Sequence, residues 1–117
     1  MAAGRETLYC GGDEVDAVAW YDGDSGGKAH PVARKTANDF GLYDMSGNVW
    51  EWTCSVYTDR YDDGGSEKTC TDDAEAIRGV RGCGWDFHSA RDVRSAIRGR
   101  GVPAYRYDFL GFRLVQD

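Results

Sequence analysis

Proline and histidine are scarce in this sequence, with two of each. Two histidines leave little for a nucleophile–base–orienter triad, and no such pattern is present. No apolar run approaches the roughly 20 residues of a membrane-spanning helix. The opening stretch, MAAGRETLYCGG, has no apolar core, so no signal peptide is expected from it. Cys10, Cys54, Cys70 and Cys83 contain no CxxC spacing, which argues against a zinc site shared with His30 or His88. Cys54 with Cys70 would close a polar, glycine-containing loop; free thiols are the alternative. No long 3.6-residue apolar stripe runs through the chain, so helix is expected to be scarce. No phosphate-cradling glycine motif precedes a helix.

What is present is glycine, tyrosine and charge. The 117 residues fit one domain with one small core, and 16 Gly with 7 Tyr point to irregular, turn-rich backbone. The formal charge of -6 is divided unevenly. Residues 1–77 carry 6 Lys/Arg against 16 Asp/Glu, whereas residues 78–117 carry 8 Arg against 4 Asp. The two halves are expected to neutralise each other inside one fold. The arginines alternate with apolar residues and form no basic cluster, so no nucleic-acid partner is expected.

Residues 1–14 read as a loose lead-in. Val15–Tyr21 is a short apolar run, strand or helical turn. Asp22–Lys28, DGDSGGK, is turn-like. His30–Val32 reads as a short edge strand, since Pro31 excludes a central one. Gly47-Asn48 signals a turn, and Val49-Trp50-Glu51-Trp52 then alternates like a strand. Ser55–Glu75 reads as a long surface loop. Further strands are expected around Ile77–Arg81, Val93–Arg98 and Phe112–Val115. Trp20, Trp50, Trp52 and Trp85 are expected in the core. Arg81, Arg94, Arg98 and Arg113 are expected to partner the acidic half.

The last third mixes two kinds of position. Arg81-Gly82, Trp85, Arg94-Ser95-Ala96, Arg98, Pro103 and Gly111–Leu114 read as frame. Asp86, Phe87, His88, Ser89, Asp92, Ile97, Gly99, Gly101, Val102, Tyr105, Tyr107, Asp108 and Phe109 have no amphipathic logic and read as a displayed set. From Ile97 onward they often fall on odd numbers, and in extended chain a period of two places residues on one face. Tyrosine suits a binding surface, because it brings contact area with few rotatable bonds and a polar tip. The expected ligand is a protein or other macromolecular surface. Homo-oligomeric display would strengthen a shallow contact.

The motifs FGLYDMSGNVWEW, VRGxxW, RSAxR, a following Pro and GFRLV resemble the C-terminal half of the formylglycine-generating-enzyme, or sulfatase-modifying-factor, family. SGGKAHPV upstream also fits. The resemblance covers about Tyr9 to Val115, although the family domain normally begins well before Tyr9. It implies an α+β, C-type-lectin-like fold: small antiparallel sheets, much irregular backbone and little helix, as one domain over 1–117. Catalytic members carry two cysteines in the interval that is DFHSARDV here, so copper and cysteine oxidation do not carry over. A metal-dependent oxygenase of the formylglycine-generating type, or a part of one, is the alternative function. The resemblance further implies a structural calcium ion held by the Asp44 and Glu51 side chains and the Gly47 and Val49 carbonyls. The sugar-binding triplets Glu-Pro-Asn, Gln-Pro-Asp and Trp-Asn-Asp of calcium-dependent lectins are absent, and the fold alone does not make a lectin.

The same motif set is similar to the variable proteins of diversity-generating retroelements, in which adenines of a template repeat are randomised. An AAC codon altered at its adenines gives every residue except Gln, Lys, Glu, Met and Trp. None of these occurs between Asp86 and Leu110. Cys83 and Gly84 are both reachable from AGC, which sets the expected variable region at about 83–110. This resemblance implies a non-catalytic, hypervariable binding protein, with display on a cell surface or a virion as candidate settings.

Overall fold

The computed structural model describes residues 6–59, 70 and 72–114. Two short helices, α1 (Val15–Val18) and α2 (Asp22–Ser25), precede four strands: β1 (Trp50–Val56), β2 (Arg78–Arg81), β3 (Arg98–Gly101) and β4 (Leu110–Gly111). One 3-10 turn, Ala90–Val93, lies between β2 and β3. The strands form one sheet in the order β3-β2-β1-β4. β1 with β2 and β2 with β3 are antiparallel, as expected. β4 instead lies parallel to β1, pairing Trp50 with Leu110 and Glu51 with Gly111, so the sheet is mixed.

Register divides the sheet into two chemically distinct faces. Trp52 lies opposite Val80, and Val80 opposite Gly99. Directly paired residues share a face, and so do residues two apart. Trp50, Trp52, Val80, Gly99 and Gly101 therefore stand on one face. Glu51 pairs Arg81, which pairs Arg98, and these with Arg100 stand on the other. The first face joins the core, where Trp50 and Val80 pack with Tyr9, Val18, Ala19, Cys83 and Val93.

Several expectations change on contact with tertiary structure. Val15–Val18 resolves as a helical turn rather than a strand. Asp22–Ser25 tightens into a helix because Asp24 accepts the Tyr21 main-chain N–H at 3.1 Å and Gly26 closes it at φ 66°. His30–Val32 is not a strand: the Asn48 side chain takes the place of a strand partner, accepting from His30 N at 2.9 Å and donating to His30 O at 3.0 Å. Tyr9 and Cys10, placed in a loose lead-in, are buried. β1 runs on to Val56, into the expected loop, while residues 60–69 and 71 lie outside the described residues. Val93–Arg98 is not extended throughout, since Ser89 caps the 3-10 turn by accepting from Arg91 N and β3 starts only at Arg98. The last strand is Leu110–Gly111, not Phe112–Val115; Phe112–Leu114 is irregular and Val115 lies outside the described residues.

Trp50 is the buried tryptophan; Trp20, Trp52 and Trp85 are half-buried. Arg113 pairs with Glu51 as expected of the acidic half. Arg81, Arg94 and Arg98 donate to the main-chain carbonyls of Ile97, Arg91 and Thr58. Cys54 and Cys70 form a disulfide, and Cys10 and Cys83 are buried thiols.

Candidate functional site

Seven of the thirteen residues read as displayed converge on one hollow of about 340 Å³: Asp86, Phe87, Gly99, Gly101, Tyr105, Tyr107 and Phe109. The remaining lining comes from Trp50, Val80, Arg100 and Leu110. The floor follows from the sheet's apolar face. A Cβ on Gly99 would stand 2.9 Å from Val80 Cγ2 and 3.1 Å from Trp50 Cζ3, and one on Gly101 would stand 2.7 Å from Trp52 Cη2. The tryptophan rings thus occupy the space that side chains at 99 and 101 would need. The two glycines are floor, lining the hollow with backbone alone.

The walls are aromatic. Tyr107 and Phe109 stack with centroids 4.8 Å apart and planes 8° apart, and Tyr105 meets Tyr107 edge-on at 5.5 Å. Trp50 and Phe87 meet edge-on at 5.4 Å. Tyr105 and Tyr107 are 44% and 49% exposed, which makes them surface rather than filling. Phe87 and Phe109 are half-buried against the core, so each anchors the wall and offers one side to the hollow. Such a patch of partly exposed rings over a formed hollow is the kind of surface that takes a ligand.

The other six residues are dispersed. Ile97 packs on the core and displays little. Ser89 caps the 3-10 turn that contains Asp92. His88 is exposed and lies 3.5 Å from Asp22. Val102 accepts the Tyr105 N–H in the turn after β3. Asp108 is exposed, and its carbonyl faces the Trp85 indole N–H at 3.5 Å.

The sequence reading missed the floor. Trp50 is expected in the core and Val80 only within a strand, yet both line the hollow, and Trp50 is both core and pocket. The signal was available: Trp50 and Trp52 are two apart on one strand, and Gly99 and Gly101 two apart on another. Large rings on one strand face need missing side chains on a facing or neighbouring strand.

The residues implied for calcium show a divided picture. Asp44 is buried; its Oδ2 accepts the Ala33 N–H at 3.1 Å, while Oδ1 has no hydrogen-bond partner. An orphaned carboxylate oxygen is the donor that Ca²⁺ takes. Glu51 differs, because Arg113 binds both of its carboxylate oxygens, with Nε to Oε2 at 2.8 Å. The same guanidinium donates to the carbonyls of Tyr43 and Asp44 at 2.9 and 3.1 Å. Gly47 and Val49 flank the Asn48 turn, with Gly47 at φ 79° against the Trp20 main chain. Of the two side chains, Asp44 thus has an oxygen left over, whereas the charge of Glu51 is already met. Glu51 also holds the Arg113 guanidinium above its ordinary pKa.

Cys83 is the free thiol beneath the site. Burial pushes its pKa up to about 12, with the charges of Asp92 and Asp86 adding to the effect against the Gly84 N–H. A thiol so shielded is not a nucleophile at neutral pH. Among the described residues, no group of three or more His, Cys, Asp or Glu is placed to hold a metal ion.

A model of the sulfatase-modifying factor enzyme 1-like domain matches residues 1–117. The inactive C-alpha-formylglycine-generating enzyme 2 of Bos taurus is 36% identical over 80 residues, covering 65% of this chain and 22% of that protein. Its Mus musculus counterpart is 35% identical over 84 residues, covering 68% and 23%. Among solved structures, Treponema denticola variable protein 1 superposes with a TM-score of 0.80 at 29% identity, over 95% of this chain and 41% of that one. The chain thus spans under a quarter of those curated relatives and under half of that structure. The mixed sheet, scarce helix and irregular backbone are those of the C-type-lectin-like fold these structures share.

Proposed function

Since this chain belongs to the sulfatase-modifying factor enzyme 1-like domain family, we propose that it is a non-catalytic member that recognises a macromolecular surface. In this reading it is the variable protein of a diversity-generating retroelement. The observation that carries it is the convergence of Asp86, Phe87, Tyr105, Tyr107 and Phe109 around one open hollow. The pair at 86–87 and the trio at 105–109 are far apart in extended chain and differ in chemistry, yet the fold brings them to one place. The structural likeness to a variable protein supports the same reading, as do the relatives named inactive. The shielded Cys83 thiol supports a non-catalytic role.

Recognition would proceed by seating a partner group against the Tyr107–Phe109 stack, over the Trp50 floor. A hollow of this size gives a modest single contact, and repeated display of the chain would raise overall avidity. A calcium ion, if bound, would be held by Asp44 and would brace the Trp50 loop rather than touch a ligand.

Sequencing sibling alleles tests the proposal. Substitutions confined to 83–110, and frequent at Asp86, Phe87, Tyr105, Tyr107 and Phe109, are expected. Siblings identical at these five and divergent elsewhere would overturn it.

A further inference from the structure

The hollow has a narrower chemistry than a general apolar patch. Five aromatic side chains line it: Trp50, Phe87, Tyr105, Tyr107 and Phe109. Ring faces carry negative quadrupole potential and attract cations seated over them. Asp86 lines the same hollow, and its Oδ1 is shielded from water with no hydrogen-bond donor. That oxygen lies against Gly84 and is already desolvated, so its uncompensated charge acts on the hollow through space, where it favours a cation over a neutral or anionic group.

The neighbouring cations do not satisfy it. Arg100 reaches the rim, but its guanidinium lies 5.7 Å from the Tyr57 ring centroid, and Arg98 lies 4.9 Å from the same ring. Both belong to the opposite sheet face, one residue out of phase with Gly99 and Gly101. Arg106 turns back to its own loop, donating to the Pro103 and Tyr105 carbonyls at 2.9 and 2.8 Å. The lining thus holds five rings and one carboxylate, with a single rim cation, Arg100, whose guanidinium is turned toward Tyr57.

The geometry points to a cationic group on an apolar stem as the occupant: an alkylammonium or guanidinium end, as on a lysine or arginine side chain of a partner protein. This rests on the recognition reading above and sharpens it. It belongs to this particular set of side chains; a sibling with other residues at 86 and 107 would take a different group.

The test uses the full chain and three small probes, read by the main-chain amide signals of Gly99 and Gly101. The probes are choline, its uncharged isostere 3,3-dimethylbutan-1-ol, and methylguanidinium. Choline is expected to bind about five-fold or more tightly than the isostere. Methylguanidinium tighter than choline would assign the occupant to arginine, and the reverse to lysine-like ammonium. Asp86→Asn should bring choline to within about two-fold of the isostere. Tyr107→Leu, which keeps apolar area but removes a ring, should weaken choline and spare the isostere. Equal or tighter binding of the isostere would overturn the inference and leave the recognition reading in place. Absence of any shift with all three probes would also overturn it. The sibling sequences judge the broader reading separately.

Discussion

The indole of Trp50 lies against Gly99 across the intervening strand β2: a Cβ built on Gly99 would stand 3.1 Å from Trp50 Cζ3 and 3.2 Å from Cη2. The glycine is therefore a steric requirement of the pocket floor, and its backbone needs no left-handed φ.

Gly99→Ala tests that requirement. In an ordinary strand, replacing Gly with Ala would stabilise by a few tenths of a kcal/mol through the unfolded chain. Here overpacking against Val80 and Trp50 dominates, with an expected loss of about 1–3 kcal/mol. Urea unfolding measures it. A neutral or stabilising result would show that Trp50 can swing aside, and that position 99 is free to vary.

Tyr107→Ala separates recognition from stability. The side chain is 49% exposed and stacks only along the pocket wall, on Phe109 and Tyr105. Unfolding free energy should fall by about 1 kcal/mol or less. Affinity for a partner should fall about ten-fold or more, as at other aromatic anchors. A large stability loss with unchanged binding would make Tyr107 filling.

Arg113→Met removes the partner of a half-buried carboxylate. Glu51 would lose both charge-assisted bonds, and the Tyr43 and Asp44 carbonyls would lose a donor. A loss of about 1–3 kcal/mol is expected by chemical denaturation. Calcium offers the complementary measurement. With Arg113 in place, millimolar Ca²⁺ should change Tm by no more than about 1 °C. In Arg113→Met the freed Glu51 joins Asp44, and a larger Ca²⁺-dependent rise is expected. A rise of several degrees in the unmodified chain would mean that Arg113 yields Glu51 to the ion.

Cys83 sets an alkaline limit. Its thiol titrates near 9 when unfolded and is pushed up to about 12 by burial in the fold. Between those values the unfolded chain loses the proton and the folded chain keeps it. Stability from this group is therefore complete below about pH 9 and declines as pH rises toward about 12. Over pH 8 to 10, Cys83→Ala should show a shallower decline than the parent in urea unfolding. The native thiols of Cys10 and Cys83 should also resist a thiol reagent at pH 8 until denaturant is added.

Part of the site was legible because the period of two on β3 carries on through the irregular segment between β3 and β4. Alternation from Ile97 onward identified Tyr105, Tyr107 and Phe109 as neighbours, and WEW identified β1. The limits have physical causes. Gly99 and Gly101 were read as displayed because a sequence does not show which ring fills the space above a glycine. The parallel pairing of β4 depends on non-local contact, which strand propensity does not encode. His30–Val32 mimicked an edge strand, but its partner is the Asn48 side chain rather than another strand. Arg81 and Arg94 turn to main-chain oxygens because carbonyls left over by irregular backbone compete with carboxylates for guanidinium donors.

The adjacency of β4 to β1 bears on how fast this polypeptide matures. Leu110 pairs with Trp50, so the sheet cannot be completed until the chain is available as far as Leu110. Distant pairings of this kind slow folding, because loop closure precedes the contacts that reward it. The interval between them includes residues 83–109, the stretch proposed to vary. On the proposed reading, each new version would have to reach the native state through its altered segment before meeting a target, and selection would act on folding yield before affinity.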